Sequence, residues 1–175
     1  MISGNKVKLR EKKNTDARND YTWQTDPILS QLDAAPQLKM SFTRYRLDYI
    51  WELHIASHTR CRFSIDTSEG KHIGNCSYYD INDTKGETEL GIMIGDRDYW
   101  DRGYGTDAVS TLVDYIFGET SLRRVYLKTL ESNLRAQKCF QKCGFTEYGR
   151  LVKNGYHFML MELHRKDWRQ RPEQT

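Results

Sequence analysis

The sequence predicts an α/β (α+β) fold, built on a mixed, mostly antiparallel twisted sheet that is flanked by helices. Three observations predict it. Strand-like apolar runs recur on both sides of a helical apolar stripe at residues 108–117. The strand 87–94 leads into that stripe through a polar loop that Gly103 and Gly105 close. Asn154-Gly155 marks a tight hairpin near the end of the chain. The sheet is therefore expected to be antiparallel at first, with one parallel strand–helix–strand step in its centre.

The elements before the loop follow from apolar periodicity and from turn residues. Alternating apolar residues predict strands, apolar stripes of helical spacing predict helices, and clusters of Gly, Asn, Asp and Ser predict turns. Ser41 is suited to cap the longest helix, because its hydroxyl can accept a hydrogen bond from the first turn. In order, the sequence predicts a strand at 7–10, helices at 15–23, 26–32 and 41 to about 58, and strands at 62–65, 72–81 and 87–94, with turns at 67–71 and 82–86.

The elements after the loop follow the same rules. The stripe at 108–117 ends at Gly118, and Asn133 or Ser132 can cap a short helix that Gly144 terminates. In order, the sequence predicts a strand at 124–129, a helix at 133–143, strands at 146–152 and 156–163 joined by the Asn-Gly turn at 153–155, and a polar tail at 166–175.

The glycine loop is the first candidate binding site. Gly103 and Gly105 let the backbone approach a ligand closely or adopt a positive φ. The N–H groups of the loop and the positive end of the helix dipole then point at one spot, which suits a phosphate or pyrophosphate. Most Gly-x-Gly pairs are ordinary turns, so the loop alone decides nothing. The Gly-Lys-Ser/Thr of nucleotide-triphosphate loops and the third glycine of dinucleotide loops are missing, since position 108 is Ala.

Two motifs lie in the second half of the chain. The first is Trp100-Asp101-Arg102-Gly103-Tyr104-Gly105, and the second is Asn133-x-x-Ala136-x-x-x-Phe140-x-Lys142-x-Gly144-Phe145. Together they resemble the GNAT family of N-acetyltransferases. The first is similar to the family's Gln/Arg-x-x-Gly-x-Gly/Ala loop, and the two stand in the family's order and at its spacing. The resemblance runs from about residue 6 to residue 168. Tyr21-x-Trp23-x-x-Asp26-Pro27 is similar to the branch that includes ribosomal-protein N-terminal and polyamine acetyltransferases.

The resemblance implies acetyl transfer from acetyl-coenzyme A to a primary amine by direct attack. The amine must lose a proton before it attacks the thioester, so a base is needed. Glu89 is the candidate base, because it lies 11 residues before Trp100, where histone-type members of the family carry their glutamate. Glu87, on the same strand face by alternation, is the second candidate. The alternative for both is a solvated strand carboxylate or the partner of a cation.

The resemblance also implies where acetyl-coenzyme A is bound. Amides of the loop would hold the pyrophosphate, and a main-chain N–H of the strand would stabilise the tetrahedral oxyanion. Asn133 would bond the pantetheine or adenine end, and Lys142 would lie near the nucleotide. The predicted contacts are Ile92, Met93, Ile94, Arg102, Gly103, Tyr104, Gly105, Thr106, Asn133 and Lys142.

The general acid is where the sequence departs from the family. The helix after Asn133 often supplies a Tyr at the position of Phe140, or a Ser at that of Ala136. Neither Phe nor Ala can donate a proton. The acid is therefore left open between solvent, Cys139, Tyr104, Tyr126 and Tyr156.

Three functions remain open at this stage. The first is acetylation of a small-molecule amine such as a polyamine, an amino acid or an aminoglycoside. The second is acetylation of a protein N-terminus. The third is a non-catalytic acetyl-coenzyme A-binding regulatory domain, for which the missing acid argues. Side chains that could line an acceptor pocket, with sheet packing as their alternative role, are Tyr78, Tyr79, Asp80, Tyr156 and His157.

Composition limits the partners and the location of the chain. Its 175 residues suit one domain, assigned to 1–175. No apolar run approaches the ~18–20 residues of a membrane span, and the start lacks a signal-peptide core, so we expect a cytoplasmic protein. The four cysteines show no metal spacing, which predicts free thiols and no metal site. A net charge of +3 gives no argument for nucleic acid. Homodimer formation is also expected.

Overall fold

The computed structural model describes residues 1–55 and 57–168. Within them, eight strands form one sheet in the order β1-β2-β3-β4-β5-β6-β8-β7. The strands are β1 Ile2–Ser3, β2 Val7–Glu11, β3 Arg60–Thr67, β4 His72–Asn82, β5 Glu87–Ile94, β6 Arg124–Leu130, β7 Thr146–Lys153 and β8 Tyr156–His164. The helices are α1 Ala17–Gln24, α2 Pro27–Leu32, α3 Phe42–Leu53, α4 Tyr104–Glu119, α5 Leu134–Lys142 and α6 Arg165–Trp168.

The topology confirms the predicted fold class. Neighbouring strands run antiparallel throughout the sheet, except that β5 and β6 are parallel and are joined through α4. The turn between β7 and β8 has positive φ at Asn154 and Gly155, as the Asn-Gly pair requires. Because β5 and β6 are in the middle of the strand order, the parallel step lies in the centre of the sheet. The glycine loop was expected to place a ligand there.

Helices cover the two faces of the sheet differently. On one face α4 buries its apolar stripe against alternate residues of β2, such as Val7 and Leu9, and this contact forms the main core. On the other face α1 packs over charged residues, where Arg10 holds the buried Asp16 at 2.7 Å. Apolar residues of α1 and α3 form a second, smaller cluster there. One face is thus a conventional hydrophobic core, and the other contains buried ion pairs.

Several boundaries differ from the predicted ones. Helix α4 already begins at Tyr104, so its first turn contains the loop glycine Gly105. Helix α3 is capped by Ser41 as predicted, but it ends at Leu53 rather than near residue 58. The short edge strand β1 was not predicted, because two residues are too few to show alternation. None of the helices among the described residues combines the length and the hydrophobicity that crossing a membrane requires.

The polar tail predicted for residues 166–175 includes three residues that belong to α6. Arg165 donates to the main-chain carbonyls of Phe117 and Thr120 at the end of α4. Trp168 packs against the ring of Phe117 and donates from its indole to Asp114 at 2.5 Å. Residues 166–168 therefore belong to a docked helical turn, and positions 169–175 lie outside the described residues.

Candidate active site

A central cleft opens where strands β5 and β6 separate. The two strands pair from Glu87↔Arg124 to Glu89↔Tyr126, while β5 stays paired with β4 as far as Ile94. The wedge beyond Glu89 is a cleft of about 570 Å³, lined by both strands, the first turn of α4 and one side of α5. A cleft at the carboxyl end of parallel strands is where α/β sheets usually bind their ligands.

The glycine loop forms one wall of this cleft. Gly103 is the N-cap of α4 and adopts φ +84°, a conformation that L side chains rarely adopt. The first amides of α4 have no partner within the helix and lie at its positive end. Gly103, Gly105 and Thr106 all line the cleft. The loop therefore has the shape and the donors that a pyrophosphate needs.

The free edge of β5 forms a second wall. Gly95 donates its N–H to the carbonyl of Ile73 on β4 at 2.9 Å. The N–H and C=O of the preceding residue, Ile94, therefore face away from β4. The carbonyl of Ile94 accepts instead from Nε1 of Trp100 at 2.6 Å. Because main-chain groups alternate along an antiparallel strand, the N–H of Ile92 also faces the cleft. Strand β5 thus offers a main-chain donor beside the opening.

Glu89 lies at the inner end of the cleft. Its side chain is 8% exposed. Tyr79 donates its hydroxyl to Glu89 Oε1 at 2.9 Å, and Lys128 donates its ammonium to the same oxygen at 2.5 Å. Burial, together with this negatively charged neighbour, raises the pKa of Tyr79, so its phenol stays protonated and remains a donor. The carboxylate is therefore held in one position by a neutral donor and a cation.

Glu87, the second candidate base, lies in a different environment. Arg124 donates to Glu87 Oε2 at 2.7 Å and to Glu162 Oε2 at 2.6 Å. Glu87 is not among the residues that line the cleft. It acts as one arm of an ion-pair bridge between β5, β6 and β8, and its position gives no support for a role as base.

Comparison with known proteins connects this geometry to a family. Residues 6–146 match the acetyltransferase (GNAT) domain. The chain belongs to the GNAT acetyltransferase family. It is an N-acetyltransferase that uses acetyl-coenzyme A as its acetyl donor, and the non-catalytic alternative is not favoured.

Individual relatives agree with this assignment. The chain is 28% identical over 146 residues to the uncharacterized N-acetyltransferase p20 of Bacillus licheniformis, covering 83% of this chain and 80% of that protein. It is 27% identical to the spermidine N(1)-acetyltransferase of Escherichia coli, covering 87% and 79% of the two chains. The fold superposes on spermidine N-acetyltransferase from Vibrio cholerae, solved with CoA and spermine, with a TM-score of 0.82 at 21% identity over 93% and 97% of the chains.

The acetyltransferase cleft contains most of the predicted acetyl-coenzyme A contacts. The predicted contacts that line it are Ile92, Met93 and Ile94 of β5, Gly103, Gly105 and Thr106 of the loop, Asn133 at the start of α5 and Lys142 at its end. The side chain of Asn133 accepts from the Ala136 amide at 3.2 Å, so it also caps α5 as predicted. These residues fit a phosphate-bearing donor with an extended linker. When acetyl-coenzyme A is bound, it supplies the thioester.

Two of the predicted contacts have side chains that lie elsewhere. Arg102 donates to the carbonyl of Asp98 at 3.1 Å, and its guanidinium lies over the ring of Tyr99. Tyr104 packs edge-to-face on the same Tyr99 ring. Neither side chain lines the cleft. For these two positions, only the main-chain amides remain as predicted contacts.

The thiol of Cys139 is the most acidic candidate near the position of the missing acid. Phe140 and Ala136 line the cleft as expected, and Phe140 packs against Phe145. Cys139 lines it too, 3.6 Å from the hydroxyl of Thr106. A hydrogen bond from the thiol of Cys143 lowers the pKa of Cys139 to about 7, and the Thr106 hydroxyl acts in the same direction.

The inner end of the cleft, around Glu89, has side chains suited to an amine acceptor. Of the side chains suggested for that role, Tyr79 and Tyr156 line the cleft. Tyr78 does not, because it is buried on the α4 face against Tyr115. Asp33, just after α2, lines the cleft near Lys128 and Tyr79. The surrounding protein raises the pKa of its carboxyl, and the charge of Lys128 opposes this. This inner end, or acceptor end, therefore combines the ring of Tyr79 with two carboxylates, Asp33 and Glu89.

Sequence reasoning missed Lys128 and Asp33. Lys128 lies on β6 and Asp33 follows α2, so each is far in sequence from Glu89. No local motif links the three positions. The strand alternation of residues 124–129 was the one available signal, because it places Lys128 and Tyr126 on the same face of β6.

Proposed function

We propose that this acetyltransferase acts on a small cationic amine, with polyamines as the preferred class. The acceptor end of the cleft carries this proposal. It holds Glu89, Asp33 and Tyr79, and Tyr156 lines the same cleft. Carboxylates with aromatic faces suit an ammonium group. The named spermidine acetyltransferase among its relatives supports the same class.

We assign Glu89 the role of general base. An aliphatic amine is protonated at neutral pH and becomes nucleophilic only after it loses a proton. Both described partners of Glu89 donate to Oε1. Oε2 is therefore the oxygen that an ammonium, or a water in between, would reach. The hydrogen bonds from Tyr79 and Lys128 hold the carboxylate of Glu89 in place for this proton transfer.

The remaining steps use groups that line the cleft. The N–H of Ile92 is the proposed donor to the oxyanion that forms at the acetyl carbon. Amides of Gly103, Gly105 and Thr106 hold the donor's phosphates at the start of α4. The departing thiolate is reprotonated by solvent or by Cys139, since a thiol of ordinary acidity leaves readily near neutral pH.

The structure offers less support for a protein N-terminus as acceptor. Only the segment with Trp23, Asp26 and Pro27 resembles the branch that includes N-terminal protein acetyltransferases. Trp23 is buried and packs on His72. Asp26 caps α2 and pairs with Arg97. Their roles in packing and capping account for these residues without a peptide acceptor.

An acceptor panel tests the proposal. The purified chain is supplied with acetyl-coenzyme A and with spermidine, spermine, an aminoglycoside, an amino acid or a peptide with a free N-terminus, and thiol release is followed. We expect the highest kcat/KM with the polyamines. A higher kcat/KM with the peptide would replace this proposal with N-terminal protein acetylation.

Three further expectations extend the proposal. We propose that residues 1–175 act as a single domain, that the enzyme works in the cytoplasm, and that it forms a homodimer. Nearly every residue of the edge strand β7 is exposed, among them Tyr148, Leu151 and Val152, which gives a second copy an available surface. Light scattering on the purified chain would measure the mass, and a monomer at all concentrations would contradict the homodimer.

A further inference from the structure

Lys128 places a primary amine beside the proposed base. Its Nζ is 2.5 Å from Oε1 of Glu89, and its side chain is 36% exposed where it enters the cleft from β6. Tyr79 approaches the same oxygen from β4. The chain therefore holds one of its own aliphatic amines at the carboxylate that an acceptor amine has to reach.

A lysine side chain is chemically close to the end of a polyamine. Both present a primary amine on a flexible chain of methylene groups, and both are cationic at neutral pH. Lys128 pairs with Oε1 of Glu89 and an acceptor ammonium would reach Oε2, so both amines would lie beside the same carboxylate. When no acceptor fills the cleft, Lys128 is the amine that remains next to the base.

We propose that Lys128 is a self-acetylation site, modified from acetyl-coenzyme A when no acceptor amine occupies the cleft. The C–S bond of the thioester breaks, and a bond forms between the acetyl carbon and Nζ. In passing from ammonium to amide, Lys128 loses two protons. One returns to the departing thiolate, and the other leaves through Glu89 to solvent.

The reaction is expected to be slow and to stop after one acetyl group. The ammonium form of a lysine cannot attack the thioester, so Lys128 must first lose a proton. The product is an uncharged amide that no longer pairs with Glu89 and remains at the acceptor end. Self-acetylated chains should therefore turn over an amine acceptor more slowly than unmodified chains.

Lys85 provides a matched control. It also faces a strand carboxylate, with Nζ 3.9 Å from Oε1 of Glu87, but its side chain is 69% exposed and does not line the cleft. Direct chemical acetylation by a thioester in solution would favour the exposed Lys85. Transfer within the cleft reverses that order and favours Lys128.

The experiment incubates the purified chain with acetyl-coenzyme A alone and follows intact mass and peptide maps. We expect one acetyl group per chain, located on Lys128, with Lys85 unmodified over the same time. Lys128→Arg should abolish the labelling, whereas Lys85→Arg should leave it unchanged. Excess spermidine should protect Lys128, and Glu89→Gln should slow its labelling at least tenfold. Thermal unfolding and donor binding of Lys128→Arg show whether that variant is folded.

Two outcomes would overturn the proposal. One is an enzyme that acetylates an amine in solution but leaves Lys128 unmodified without acceptor. The other is labelling of Lys85, or of the remaining cleft lysines Lys138, Lys142 and Lys153, ahead of Lys128. The self-acetylation proposal rests on the proposed function, because it uses the same cleft and the same base. Its failure can be distinguished from a failure of the proposed function. Labelling of Lys128 with no turnover of any amine in the panel would refute the proposed acceptor instead.

Discussion

The indole of Trp23 lies directly against the backbone of Gly95. A Cβ atom built on Gly95 would come within 2.1 Å of Cδ2 in that ring. The ring of His72 also packs against the indole, with the two ring centroids 4.9 Å apart. Helix α1 therefore packs against Gly95, the residue that follows β5. Position 95 requires glycine because the indole ring lies so close to the backbone.

Gly95→Ala should destabilise the fold. The atom that the new methyl group meets belongs to a buried ring rather than to the end of a flexible chain, so we expect a loss of about 1–3 kcal/mol in the free energy of unfolding. Denaturant unfolding measures it. Gly118→Ala is the control, because a Cβ there meets nothing within 4 Å and α4 gains a better helix former. Equal stability of the two variants would contradict this account.

Gly103→Val and Gly105→Val should abolish donor binding. A valine at position 103 would have to adopt the positive φ that L residues rarely adopt. A valine side chain at position 105 would fill the cleft beside the first amides of α4. Acetyl-coenzyme A should raise the Tm of the wild-type chain by mass action, but not that of either variant. Gly118→Ala should keep the rise. A wild-type chain that shows no rise at millimolar donor would refute the proposed site.

Glu89→Gln should lower kcat by about 10²–10⁴-fold, the usual contribution of a general base. Donor affinity should change little, and the loss should shrink at high pH, where the free amine is more abundant. Glu87→Gln provides the comparison, since Glu87 is held by Arg124 outside the cleft. A larger loss with Glu87→Gln than with Glu89→Gln would reverse the assignment. Steady-state kinetics across pH measures both.

Phe140→Tyr should leave turnover unchanged within about threefold, because a thiol with a pKa near 8.5 is already a competent leaving group at neutral pH. Phe140 lines the cleft and packs on Phe145, so the variant places a hydroxyl in the wall of the cleft. A gain of tenfold or more in kcat would show that reprotonation limits the natural enzyme.

Cys139 should react with iodoacetamide in a pH-dependent manner. Its lowered pKa of about 7 means that the thiolate fraction, and with it the alkylation rate, rises through neutral pH. Acetyl-coenzyme A should protect it, because Cys139 lines the donor cleft. Cys76 is the internal control, since burial raises its pKa to about 12. Faster labelling of Cys76 in the folded chain would contradict this prediction.

The parts of the fold that sequence could predict are those with local causes. The apolar stripe of α4, the N-caps at Ser41 and Asn133 and the Asn154-Gly155 turn each depend on residues a few positions apart. The loop and the α5 motif were found because both lie within short segments. Their meeting at one cleft followed from family resemblance rather than from periodicity.

The parts that escaped prediction depend on register between distant strands. Glu89 meets Lys128 because β5 and β6 pair in parallel and then separate, and α4 lies between them in sequence. Tyr79 reaches the same carboxylate through the antiparallel register of β4 and β5. No periodic pattern reports such offsets, so the base could be proposed from sequence but its two partners could not.

Asp107, in the first turn of α4, accepts from the main-chain amides of Asn5, Lys6 and Val7 at 2.7–3.1 Å. An unpaired carboxylate so close to the proposed phosphate site would repel acetyl-coenzyme A. The carboxylate of Asp107 instead accepts hydrogen bonds from three main-chain amides near the start of the chain, which offset its negative charge. We therefore expect donor binding to depend on the order of the first residues of the chain. A fusion partner attached near Met1 that disturbs this turn should weaken the affinity for acetyl-coenzyme A, although it touches neither the donor nor the acceptor.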